Sequence, residues 1–203
     1  MSAHKKARIL AIILLIAADL FGVTISQEDG ATLLRFVHCT NIKCLREAES
    51  GSTHSQLVEL VFYTRSIQIN PLSKTAAAGL LRHIPRTVEE LDLFAELSAS
   101  VSPSETDSEN RSLAKVYFDY PANSAKAAMR EEGGMERFLV FGRIAIHDPH
   151  LDYPQQAVRL CKSHHRAFLK GFSELVPDEQ LYFRTRIVNP ETCHAIAKTE
   201  ADE

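Results

Sequence analysis

Histidine, aspartate and cysteine gather in one stretch of the chain. His147, Asp148 and His150 lie in a proline-containing loop, and Cys161, His164 and His165 follow on what reads as a helix. At spacings i, i+3 and i+4 the last three share one helical face. Imidazole and carboxylate side chains are zinc ligands, and three of them with an open fourth position suffice to activate a water. His147, Asp148, His150 and His164 are therefore the candidate metal ligands, with zinc the cofactor they would hold and metal-dependent hydrolysis the chemistry they would serve. The chain has neither His-Glu-x-x-His nor a paired-cysteine ligand motif. The plainer reading leaves His164 and His165 exposed beside Lys162 and Arg166, with the loop histidines in a turn.

Other chemistry has less to stand on. Cys161 beside histidines could attack as a thiolate, but in an oxidising compartment such a cysteine more often pairs. No Gly-x-Ser-x-Gly elbow is present. Gly133-Gly134 lacks the spacing of a phosphate loop and reads as a helix end. Asp148 and Asp152 form a carboxylate pair of the kind glycosidases use, yet the chain has no tryptophan for a sugar to stack on. Glu105, Asp107 and Glu109 sit in a Ser-rich segment, 98–110, that reads as a mobile loop. Those three acids are the candidate contacts for a basic partner protein, because complementary charge speeds and selects association.

Four cysteines, Cys39, Cys44, Cys161 and Cys193, contain no Cys-x-x-Cys unit. An even count in an exported chain implies disulfides, with three possible pairings. Nearness along the chain favours Cys39–Cys44 and Cys161–Cys193. On one continuous helix Cys39 and Cys44 would point about 140° apart, so their bridge needs a bend near Thr40-Asn41. Export itself is read from the N-terminus. Lys5, Lys6 and Arg8 precede an apolar run, Ile9 to Ala18, of signal-peptide length and shorter than the ~20 residues that cross a bilayer. The division expected is a signal peptide over 1–26, cut near Ser26, and one mainly helical domain over 27–203. Left uncut, the same segment would be a membrane anchor; in a cytosolic protein it would be a buried first helix.

The formal charge is −3, and without the basic leader about −5. No Lys/Arg stripe is evident, which sets nucleic acid aside as a partner.

The elements that must position these residues read as helices. Ala31 to Glu49 carries a helical apolar pattern interrupted near Thr40-Asn41. Gln56 to Ile69 reads as helix, although Val61 to Ile69 has strand-like content. Ser73 caps a helix over Lys74 to His83, and Thr87 with Glu90 forms a capping box for the next, the two making an αα-hairpin around Pro85. Asn123 or Ser124 caps a helix through Met129. Met135 to Ile146 is helical, Pro154 opens a helix to about Leu175, and Pro177 opens the last. Phe138, Phe141, Phe168, Phe172 and Phe183 fall at helical spacing and read as core.

The expected fold is all-α: an irregular helical bundle or short helix-pair array of six to eight helices, with room for one small hairpin over Val61 to Ile69. The function expected is that of an exported, periplasmic or secreted, non-enzymatic protein-binding module, inhibitor- or immunity-like. The alternatives are the metal-dependent hydrolase and a structural envelope protein held by its N-terminus.

Overall fold

In a computed structural model, residues 26–49, 55–100, 113–188 and 193 are described, and the described chain is all-helical. Eleven helices occur among these residues: α1 Gln27–His38, α2 Ile42–Glu49, α3 Gln56–Ile69, α4 Lys74–Arg82, α5 Val88–Ser100, α6 Leu113–Phe118, α7 Tyr120–Ala128, α8 Gly134–Ala145, α9 Tyr153–Ser163, α10 His165–Ser173 and α11 Pro177–Arg186. The count exceeds the six to eight expected because apolar periodicity runs through breaks in the backbone. The helix expected from Pro154 to Leu175 is two, since His164 leaves the helical region at φ −134°, ψ 43° and serves both as the end of α9 and the start of α10.

The hairpin expected at Val61 to Ile69 is the second half of α3. This helix buries Leu57, Val58, Leu60, Val61, Phe62, Thr64, Ser66 and Ile67, which leaves it apolar on nearly every side. A helix enclosed by others has no polar face to keep, so β-branched and aromatic residues gather on it without implying a strand. Its buried Thr64 Oγ1 is satisfied by donating to the Leu60 carbonyl at 2.7 Å.

Local chemistry sets several boundaries. Ser73 Oγ accepts from Ala76 N at 3.2 Å, capping α4. Thr87 Oγ1 accepts from Glu90 N at 3.2 Å, while Glu90 Oε2 accepts from Arg86 N at 2.7 Å, one residue earlier than a capping box requires. Between α1 and α2 the chain bends at Cys39–Asn41, and Cys39 and Cys44 stand at disulfide distance, Cα to Cα 5.4 Å. Arg65 of α3 reaches across to donate to backbone carbonyls at the end of α1, Phe36 at 3.3 Å and Cys39 at 2.7 Å.

Two helices act as hubs. α3 is surrounded by α1, α2, α4, α6 and α7, and α8 by α4, α5, α7, α9, α10 and α11. α4 and α7 touch both hubs and each other, so one buried apolar cluster runs from Leu33 to Cys193. The expected αα-hairpin of α4 with α5 is not how these helices pack: α4 lies on α3, α7 and α8, and α5 on α6 and α8. Gly133 turns the chain into α8 with φ 68°, a left-handed conformation that a residue without a Cβ enters freely. The five phenylalanines read as core are all buried.

Candidate functional site

Two helices enter the fold in the same way. Asp119-Tyr120-Pro121 opens α7 and Asp152-Tyr153-Pro154 opens α9, the two triplets 33 residues apart. Proline in a helix's first turn has no N–H to waste and a backbone angle already set for the helix. The tyrosine beside it is fully buried in each case. Tyr120 meets Phe141 edge-on at 5.4 Å between ring centroids, and Tyr153 meets the same ring edge-on at 5.7 Å. Phe141 belongs to α8, so α8 carries α7 and α9 as neighbours through one shared ring. Four residues after each aspartate an amide reaches back: Asn123 Nδ2 donates to the Asp119 carbonyl at 3.0 Å, and Gln156 Nε2 to Asp152 Oδ2 at 3.0 Å. Asn123 and Ser124, expected as caps, are instead buried inside α7, because Pro121 starts the helix earlier.

Between these two helices lies an open cleft of about 610 Å³. Its α7 wall is Ala122, Ala125, Lys126, Met129 and Arg130, and its α9 wall is Gln156, Arg159, Leu160, Ser163 and His164. Each set follows the spacing i, i+3, i+4, i+7, i+8: Ala122, Ala125 and Lys126 lie on α7 with Met129 and Arg130 just past its end, and Gln156, Arg159, Leu160 and Ser163 lie on α9 with His164 at its C-cap. Pro71, in the turn before α4, also lines the cleft, and Leu72 beside it is 66% exposed. The floor is small or apolar, with Ala125 and Leu160 buried. Lys126, Arg130, Arg159 and His164 are exposed on the walls, and no acidic residue lines the cleft among the described residues. Lys126 Nζ has only the Asn123 Oδ1 at 3.5 Å as a hydrogen-bond partner among the described residues. The nearby Asp152 carboxylate is engaged by Gln156. A concave, positively charged surface on a chain of net charge −3 is a local feature with a local use.

The residues expected to hold zinc are placed otherwise. Asp148, in the turn after α8, accepts hydrogen bonds from the Tyr117 hydroxyl of α6 and from His150 N at 2.8 Å. His147 and His150 are exposed, and His164 stands at the α9–α10 junction on the cleft wall with Lys126, Arg130 and Arg159. Among the described residues no three His, Cys, Asp or Glu side chains come together as a metal-binding group. The physical reason is visible at both ends: Asp148 is turned toward a phenol, and a divalent cation at His164 would face like charge. Cys161 is not a free thiol beside the histidines; it is buried and stands at disulfide distance from Cys193, Cα to Cα 6.1 Å. Glu105, Asp107 and Glu109 lie outside the described residues.

Burial shapes the tyrosines near the site. The Tyr153 hydroxyl donates to the Phe138 carbonyl at 2.8 Å, and its ionisation is pushed well up by loss of solvent. Tyr120 is raised for the same reason. For Tyr117 burial is the larger cause and the hydrogen bond to Asp148 adds to it, since ionising the phenol would set two negative charges together. These groups hold their protons and serve as structure.

Sequence reasoning missed Lys126, Arg130 and Arg159. The signal that could have found them is the repeated Asp-Tyr-Pro, which puts Lys126 and Arg159 at the same offset along two helices. Among the described residues no helix is long and apolar enough to cross a membrane. Comparison with known protein families, curated proteins and solved structures returns no match.

Proposed function

We propose that the chain is an exported, non-enzymatic protein-binding module, one that inhibits or masks another protein. The observation that carries this reading is the α7–α9 cleft, a preformed concavity with a small, apolar floor and cations on both walls. Such a surface is built to be covered by something of opposite charge. Two cysteine pairs at disulfide distance support the export half of the reading, because thiol pairs persist as disulfides in oxidising compartments. The basic, apolar leader supports it independently.

Native mass spectrometry of tagged protein, drawn gently from its own cell envelope with and without reductant, tests this reading. The expected species has lost its leader, is oxidised at all four cysteines and carries a second protein. A lone, full-length and reduced chain would overturn export and binding together. A salt wash separates the module from an envelope protein held by its N-terminus: the module leaves the membrane fraction and the anchored protein stays.

A further inference from the structure

The structure assigns an occupant to the cleft: an acidic amphipathic helix of the partner protein, lying along α7 and α9. This rests on the binding-module reading and adds which surface binds and what it recognises. Each wall is a helix face continued by the residues just past the helix end, in the same i, i+3, i+4, i+7, i+8 spacing, so the slot between them has the ridges into which a third helix packs. Its floor of Ala122, Ala125 and Leu160 lets a backbone approach closely. The cations do not converge on one point. Lys126 and Arg130 are one turn apart on one wall and Arg159 and His164 stand on the other, so they flank an elongated guest. At neutral pH three fixed positive charges face the slot and no carboxylate among the described residues lines it, which rejects a basic helix as firmly as it attracts an acidic one. The guest therefore presents small or aliphatic residues to the floor, with Asp or Glu on both flanks.

The test uses the full oxidised chain and a synthetic, fluorescein-labelled helix of about 14 residues, ~21 Å long, with Leu and Ala on one face and Glu flanking it. A second peptide replaces every Glu by Lys, and inorganic phosphate serves as a competitor. Fluorescence anisotropy should show the Glu peptide binding and the Lys peptide not. The Glu peptide should weaken at least about tenfold in the double variant Lys126→Glu/Arg159→Glu, and again at high salt. A distant reversal, Arg46→Glu, should leave binding unchanged, with circular dichroism confirming that every variant is folded. Equal binding of both peptides, or indifference to the double variant, would overturn the assignment. Displacement by phosphate at its own low millimolar concentration would show a free-anion site instead. A concentration-dependent dimer abolished by Arg159→Glu would show a second copy as the occupant. If the double variant still carries the native partner from the envelope, the cleft assignment fails and the module stands; if the unmodified chain carries none, the module itself fails.

Discussion

Tyr153 and Gly142 are fitted to each other: a Cβ at position 142 would stand 2.6 Å from the Tyr153 Oη. The phenol crosses α8 at Gly142, where there is no side chain, and donates to the Phe138 carbonyl one turn earlier. This contact is one of those that seat α9 on α8.

Gly142→Ala should therefore destabilise the fold by about 1–3 kcal/mol, the usual cost of forcing an extra methyl into a packed interface. Alanine is the better helix former by about 1 kcal/mol, so the two effects oppose each other. Urea unfolding decides between them. A loss of stability means that the ring cannot yield, and a gain means that Tyr153 moves aside and α9 is not held by this contact.

The two disulfides should contribute unequally. Cys161–Cys193 closes a separation of 32 residues and Cys39–Cys44 one of 5. In the chain-entropy account these restrict the unfolded chain by about 3.7 and 2 kcal/mol respectively. Cys161→Ser/Cys193→Ser should lower the unfolding midpoint more than Cys39→Ser/Cys44→Ser does. The reverse order would locate the larger effect in the folded state, where the short bridge closes the bend after α1 just below the carbonyls that Arg65 binds.

Some of this organisation was legible in the residues and some was not. The caps at Ser73 and Thr87, the bend before Cys44 and the cysteine pairing depend on neighbours a few residues away, and local chemistry announces them. The break at His164 is different. Apolar residues continue at helical spacing through it, from Leu160 and Cys161 to Phe168 and Phe172, and only the packing of α10 onto α8 explains why the chain turns there. The candidate zinc ligands do not come together, for a related reason. Shared helical spacing of Cys161, His164 and His165 cannot say that Cys161 faces the core and Cys193 while both histidines face solvent. The cleft was hidden because its two walls come from separate helices, each with an unremarkable pair of cations.

Alkaline pH should unfold the protein steeply. Tyr117, Tyr120 and Tyr153 all have raised pKa values, so the folded state keeps protons that the unfolded chain releases above about pH 10. Their contribution is present in full below pH 10 and erodes as pH rises from there. For the fully buried Tyr120 and Tyr153 the slope is about 1.4 kcal/mol per pH unit each. Urea midpoints across this range, read beside tyrosinate absorbance, check it: ionisation of these three should coincide with unfolding. Tyr120→Phe isolates one share. The Tyr120 hydroxyl is buried with the Ser124 hydroxyl as its polar neighbour and makes no hydrogen bond of good geometry among the described residues, so the variant should be about as stable as the parent at neutral pH and less sensitive above pH 10. A large loss at neutral pH would mean that the hydroxyl is bonded after all.

If the proposed export and leader cleavage occur, the resulting N-terminus should keep Ser26. Ser26 Oγ accepts from Asp29 N at 3.0 Å and its carbonyl accepts from Gly30 N at 3.0 Å, which makes it the cap of α1. A cut after Ser26 would remove both acceptors and set a new ammonium at the positive end of the helix, costing about 1 kcal/mol for the cap with a further unfavourable charge term. The helix it would loosen carries Leu33, Phe36 and Val37 into the core. Intact mass of the chain purified from its native source tests the proposed cleavage and reads its site directly. A mass that includes Ser26 places the cut upstream of the folded domain. A mass beginning at Gln27 would show that processing precedes folding and that α1 holds without its cap; adding Ser26 back to that mature chain should then raise its unfolding midpoint.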